Sequence, residues 1–307
     1  MGSVLLGLAW LASSARAGSL NYCDGGTEPS AAVQNRLLQV AAITKTELEK
    51  SGHSVALIAR SGLALQRLGQ RYSHAGVSLQ ASPNTPWSVR QLYFACDEQR
   101  PRIFDQGISG FVMGANDLTE GYVSIVLLPS DAGAALERTA LDGRAALALL
   151  ANTYSANAYA FSQRYQNCNQ WLAELLATAW GNLAVAAGAE ASVETESHAS
   201  PRAAAQDWLQ AQGYAPTVLH IGWQPLMWLA ARLSWLHSDD HPVQDLDAAQ
   251  FRVSMPQGIE NFVKQRYPHA TRLELCYTAT RVVVHRGWDA IAEGCRAAEG
   301  DVVTALQ

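Results

Sequence analysis

The sequence predicts an α+β fold: an antiparallel sheet packed on a helix that begins at Cys168, with an additional, mostly helical C-terminal lobe. Three patterns predict it. Between residues 53 and 129, short runs rich in Val, Ile and Tyr alternate with Gly, Pro and Asn turn signals at hairpin spacing. After Asn169, the residues Trp171, Leu172, Leu175, Leu176, Ala179 and Trp180 recur at intervals of three and four, the period of one helix face. Near residue 190 the polar stretch "SVETESHASP" interrupts the pattern, and most of the chain beyond it has helical spacing.

Taken in order, "MGSVLLGLAWLASSARAGSL" carries an apolar stretch from Val4 to Ala12 and ends in Ala15-Arg16-Ala17, the small-x-small pattern of signal-peptide cleavage, so residues 1–17 are expected to be removed after Ala17. A basic n-region is missing. Ser30 caps an amphipathic helix, "AAVQNRLLQVAAITKTELEKSG", that reaches Gly52. "HSVALIAR" is a strand, and "SGLALQRLG" a loop or short helical turn. "RYSHAGVSLQ" and "WSVRQLYFAC" form a hairpin across Ser82-Pro83-Asn84, and "RPRIFDQG" and "GYVSIVLLP" extend the sheet.

Ser130 is expected to cap a long helix to Ala151, followed by an aromatic loop, "NTYSANAYAFSQRYQN", and the Cys168 helix. Residues 18–190 are thereby one domain and 191–307 a C-terminal lobe packed on it. The lobe holds helices at "RAAAQDWLQAQG", "IGWQPLMWLAARLSWL" and "QGIENFVKQRYP", then strands "TRLELCYT" and "TRVVVHRG". Pro225 and Arg232 make the Trp-rich segment a core helix rather than a membrane span.

Composition narrows the function classes. Of 307 residues, 49% are hydrophobic and 16% charged, which suits a packed core. A net charge of −5 without any Lys/Arg run argues against nucleic acid or an anionic membrane surface as a partner. Phosphate-binding glycine motifs, paired catalytic carboxylates and zinc spacings are missing, so no cofactor or metal is expected. The "HSDDH" cluster, His237 to His241, reads as a solvated turn.

An exported chain can hold disulfides, and five cysteines leave one over. Cys276 and Cys295 flank the last strand pair and are expected partners; Cys23 and Cys96 are the other candidates. Cys168 is then the free thiol. It stands at the first turn of its helix, where unpaired N–H groups and the helix dipole favour thiolate. A thiol nucleophile needs a base and a group that orients it. Among eight histidines His74 stands out, since it opens a strand and is followed by the small Ala75 and Gly76. On the neighbouring strand Trp87, Val89, Gln91 and Tyr93 share one face, and the amide of Gln91 can bond an imidazole nitrogen.

"SHAGV" resembles the His-bearing strand, and "NCNQWLAELL" the Cys-bearing helix, of the NlpC-type papain-like cysteine hydrolases. Here the histidine precedes the cysteine, so the likeness is to the circularly permuted branch of those hydrolases, over roughly residues 50 to 185. "YQNCNQW" also resembles a bacterial family of exported proteins without assigned function, domain of unknown function 2145, over most of the chain. The hydrolase resemblance implies Cys168 as nucleophile, His74 as base and Gln91 as orienter. It departs from the usual pattern at Gln91, where a histidine or acid is more common. Asn167, Gln166 or Gln163 are candidate oxyanion donors. Two functions are expected to compete. One is a periplasmic or secreted thiol hydrolase acting on an envelope amide, ester or thioester in a cell-wall peptide, lipid or acylated protein. The other is an inactive fold serving as an envelope binding or assembly protein; the Trp223, Trp228 and Trp235 cluster reads first as a core or a lobe packed over the site, and alternatively as an apolar groove for a lipid or partner.

Overall fold

The computed structural model describes residues 29–115, 117–184, 200–222 and 235–307. The expected signal peptide, most of the polar stretch near 190 and the centre of the Trp-rich segment, with Trp223 and Trp228, lie outside them.

Ser30 caps α1 (Ala31–Lys50) by accepting from the Val33 N–H, as its position before the apolar period requires. Five strands follow: β1 (Val55–Arg60), β2 (His74–Leu79), β3 (Ser88–Ala95), β4 (Arg100–Gln106) and β5 (Gly121–Leu127). A short helix α2 (Ile108–Met113) fills the segment whose glycines suggest only loops. The expected long helix after residue 129 is broken in two, α3 (Ser130–Leu141) and α4 (Gly143–Ala148). Asp142 causes the break: its extended backbone ends α3, and its carboxylate accepts from the Arg144 and Ala145 N–H groups to start α4. Ser130 is not the cap; it is the first helical residue after Pro129. The helix of Cys168 is α5 (Cys168–Trp180), and α6 (Pro201–Ala211) starts with a Ser200 cap and Pro201 in its first turn.

The rest of the chain comprises β6 (Thr217–His220), α7 (Val243–Asp247), β7 (Gln250–Val253), α8 (Pro256–Arg266), β8 (Thr271–Tyr277), β9 (Arg281–Arg286) and β10 (Val302–Ala305). The expectation of a mostly helical C-terminal addition is corrected here. β8, β9 and β10 continue the central sheet, whose eight strands run in the order β10-β9-β8-β5-β1-β2-β3-β4 with antiparallel pairing throughout. β8 lies against β5 from Gly121↔Tyr277 to Leu127↔Thr271, so β5 is not an edge. Its own side chains are buried from Arg272 onward, which suits a central strand. β6 and β7 form a separate two-stranded antiparallel sheet.

Helices cover both faces of this sheet. Val55, Leu57, Val77, Leu79 and Leu92 point to a core shared with α3, α5 and α8; Ala56, Ile58, Ile125 and Leu275 point to one shared with α1 and α2. β1 and β2 are accordingly buried at every residue, which explains why "VALIA", residues 55–59, reads as an apolar run without alternation. α5 also departs from the amphipathic expectation. Every residue from Cys168 to Thr178 is buried: α6 and the loop before α5 cover the side that carries Gln170 and Glu174, and Asn169 meets Ser73 O just before β2.

Buried polar contacts tie the late strands to the early ones. The Tyr72 hydroxyl donates to Glu274 and accepts from Arg272 Nη2, and Arg272 Nε pairs with Glu260 at 3.0 Å. Cys276 and Cys295 form the expected disulfide. Cys23 lies outside the described residues, and its pairing with Cys96 with it.

Candidate active site

The site forms where β1 ends and β2 begins. Their register sets Arg60 opposite His74, side by side on the face toward α2. The same face of β3 presents Gln91 and Tyr93. From the other side of the sheet α5 points its N-terminus at this end, and Cys168 is its first residue. A cavity of about 110 Å³ lies between, lined by Arg60, His74, Tyr93, Tyr154, Cys168 and Asn169 among others. It has room for several water molecules.

His74 is held by an amide relay. Its Nε2 lies 2.5 Å from Gln91 Oε1, and Gln91 Nε2 donates to Gln106 Oε1 at 2.7 Å. With the amide nitrogen committed to Gln106, the oxygen faces the imidazole, so Nε2 carries the proton and Nδ1 keeps a lone pair. Tyr93 packs edge-on at 5.3 Å and Phe111 at 6.0 Å, fixing the ring plane. Gly76 serves this arrangement through β3. A Cβ there meets Arg90 O and Val89 Cγ1 at 2.7 Å, so the glycine makes room for β3 and Gln91 rather than for the end of α5.

Cys168 is the free thiol among the described cysteines. Its side-chain environment reverses the expected lowering. Burial pushes the thiol up to about 12, although N–H groups of Asn169, Cys168 and Ala75 and the charge of Arg60 pull the other way. Burial, aided by Arg60, lowers His74 to about 3, with the Gln91 hydrogen bond opposing. At neutral pH the pair is thus thiol and neutral imidazole, not thiolate and imidazolium. Cys168 is 6% and His74 8% exposed, so each keeps a small opening to the cavity.

The three expected oxyanion donors are bound elsewhere. Asn167 caps α5, its Oδ1 accepting from the Gln170 N–H at 2.7 Å and its Nδ2 donating to Ala156 O and Ser254 O. Gln166 donates to Leu149 O and Glu174 and accepts from the Ala151 N–H. Gln163 lies between Gln206 and Ser200. Residues that sequence reasoning passes over stand in the site instead. Arg60 is the one charge in an otherwise apolar strand, a signal available in "VALIAR". Asn169 donates to Ser73 O at 3.1 Å and leaves its buried Oδ1 without a hydrogen bond.

A family model described as "Uncharacterized protein conserved in bacteria (DUF2145)" matches residues 47–263, a span that takes in every residue of this site. The chain belongs to that family. No curated protein and no solved structure matches it.

In this DUF2145 protein the "HSDDH" loop is not a solvated turn. The His241 ring, 7% exposed, bonds Asn157 O at 2.7 Å, Asp240 Oδ2 accepts from the Tyr159 N–H at 3.0 Å, and the His237 N–H donates to Ser155 Oγ at 2.9 Å. The loop is thereby stapled to residues 154–160, which supply Tyr154 and Ala156 to the cavity wall. His53 and His285 are occupied outside the site, by Ser51 O and Asp301. No described helix is long and apolar enough to cross a membrane, and the buried Cys276–Cys295 disulfide fits an oxidising compartment.

Proposed function

We propose that this protein is an exported, periplasmic cysteine hydrolase built on a permuted papain-like scaffold, acting by acyl transfer on an amide, ester or thioester of the envelope. One observation carries the reading: a free thiol at a helix N-terminus shares a cavity with a histidine whose far nitrogen is fixed by an oriented amide. In this reading the Cys168 thiol gives its proton to His74 Nδ1 as sulfur attacks the carbonyl carbon. The S–C bond forms, and the oxyanion faces the N–H groups at the start of α5. As the bond from the acyl carbon to the leaving nitrogen, oxygen or thioester sulfur breaks, imidazolium returns the proton to the leaving group. Water then adds to the acyl carbon, giving one proton to His74; the S–C bond breaks, and that proton restores the thiol. Gln91 offers no charge to the imidazolium, so it acts by fixing the tautomer.

A second reading, a binding or assembly protein on the same scaffold, is favoured by the burial of both Cys168 and His74 and by the lack of a hydrogen bond between them among the described residues.

Alkylation and acylation separate the two. Folded protein is treated with iodoacetamide from pH 5 to 9 and, separately, with p-nitrophenyl acetate, and the modified residue is read by mass spectrometry. The hydrolase reading expects a Cys168 adduct with both reagents. It also expects alkylation to climb with pH without a low-pH plateau, and His74→Ala to slow acylation by about 100-fold, the ordinary worth of a general base. If Cys168 reacts only after denaturation, the hydrolase reading falls and the binding reading stands.

A further inference from the structure

Arg60 is 4% exposed, yet no carboxylate forms an ion pair with it among the described residues. Its Nη1 donates to Ser61 O at 3.2 Å and its Nη2 to the Tyr93 hydroxyl at 3.2 Å; both acceptors are neutral. Its buried Nε has no hydrogen-bond partner. A buried cation without a counter-charge costs several kcal/mol. The other buried arginines among the described residues meet that cost with an acid: Arg202 with Glu174, and Arg272 with Glu260 and Glu274. The surroundings nonetheless hold Arg60 in place. Cβ atoms on Gly62 and Gly114 meet its Nη1 and Nη2 at 2.8 and 2.5 Å, so both positions are bare where the guanidinium passes, and its carbon lies 5.4 Å from the Phe111 ring centre.

This guanidinium lines the same cavity as Cys168 and His74. We propose that Arg60 is an anion subsite of the reaction cavity, and that the substrate is an acyl compound bearing a free carboxylate close to the carbonyl attacked by Cys168. The proposal rests on the hydrolase reading and narrows its substrate. A carboxylate suits the site better than a phosphate because Arg60 is the one Lys or Arg among the described residues of the cavity wall, and a single guanidinium balances a single negative charge. Asn169, whose Oδ1 is left over, gives the cavity an acceptor for an N–H of the same substrate.

Two alkylating reagents of nearly equal size test this. Iodoacetate carries the carboxylate; iodoacetamide does not. The ratio of their rate constants at Cys168 is measured in wild type, Arg60→Gln and Arg60→Lys. A charge-assisted pair in a buried site predicts that the ratio falls by at least about tenfold in Arg60→Gln and is partly kept in Arg60→Lys. In wild type alone, propionate is expected to protect Cys168 from iodoacetamide and propionamide is not. This arm does not depend on the variants folding. If both reagents label Cys168 but the ratio is the same in Arg60→Gln, the anion subsite is overturned while the thiol reading survives. Equal protection by propionate and propionamide overturns it likewise. If inorganic phosphate protects better than propionate, the carboxylate class is wrong. No labelling by either reagent removes the nucleophile, and the subsite with it.

Discussion

Two buried arginines on either side of α5 show what a structural charge and a functional charge look like in one molecule. Arg202 donates from Nε and Nη2 to both oxygens of Glu174, at 2.9 and 3.0 Å, and spends its remaining N–H groups on the carbonyls of Ser162, Gln163 and Tyr165. Glu174 is completed by Gln166 and Gln206, each at 2.6 Å. Burial raises that carboxyl, and Arg202 with the two amides pulls it back. Every group in this cluster has its partner, so it locks α5, α6 and the loop before α5 together. Arg60, at the N-terminus of α5, has neutral acceptors, an idle Nε and a cavity. Both side chains are nearly inaccessible; what differs is whether the protein itself supplies the opposite charge. Cavity and missing counter-charge at one place mark a site waiting for something from outside.

The largest expected effect breaks the completed cluster. Arg202→Ala leaves Glu174 as a buried, unpaired carboxylate and is expected to cost about 3–5 kcal/mol of stability, measured as a shift of the urea midpoint. Alkylation of Cys168 in the fraction that stays folded should keep its rate, since the cluster touches neither His74 nor the cavity.

Next comes pH. Folded His74 refuses a proton until about pH 3, whereas an unfolded imidazole takes one near 6.5. Between these values the unfolded chain binds more protons, so stability rises with pH by about 1.4 kcal/mol per unit through this one residue. It is fully present above 6.5 and lost as pH falls toward 3. Comparing wild type with His74→Gln isolates it from the carboxylates. The wild type should lose ground steadily against the variant in thermal unfolding from pH 7 down to 4, and parallel curves refute the buried neutral imidazole.

The contrast between local and distant contacts also separates what is legible in the sequence from what is not. The hairpins, the capped α1, the helical period of α5, the free Cys168 and the Cys276–Cys295 pairing follow from local pattern and spacing. The relay Gln106–Gln91–His74 is legible only in part: strand alternation puts Gln91 beside His74, but nothing in "RPRIFDQ" says that β4 will deliver Gln106 to the same amide. The direction of the Cys168 shift is misread from sequence because a helix N-terminus is a local feature, while desolvation depends on how α5 is covered. Asn167, Gln166 and Gln163 lie next to the cysteine in sequence yet point away, since an N-cap and a loop turn the chain there. Arg60 is far from Cys168 in sequence and reaches it only through the β1–β2 register.

A smaller effect sharpens the role of that relay. Gln91→Ala leaves His74 Nε2 without its acceptor and releases the tautomer; acylation of Cys168 should fall about 10–100-fold, with about 1–3 kcal/mol of stability lost to the buried groups left unpaired. Gln91→Glu is the informative partner. A carboxylate at this place favours imidazolium, so His74 should titrate at higher pH and the alkylation profile should gain reactivity toward acid, an outcome that a merely space-filling residue does not give.

The smallest expected change in stability belongs to Arg60, and it is the sharpest contrast with Arg202. Replacing a buried, unpaired guanidinium by an apolar side chain of similar length removes an uncompensated charge, so Arg60→Met should leave stability within about 1 kcal/mol of wild type or raise it. What is lost is a hydrogen bond to Ser61 O and one to the Tyr93 hydroxyl, which each contribute about 1 kcal/mol. What is gained is relief from holding a charge away from water. The same variant should lose the preference of Cys168 for iodoacetate. A large destabilisation instead would mean that Arg60 is a structural charge like Arg202, satisfied by the fold rather than by a ligand.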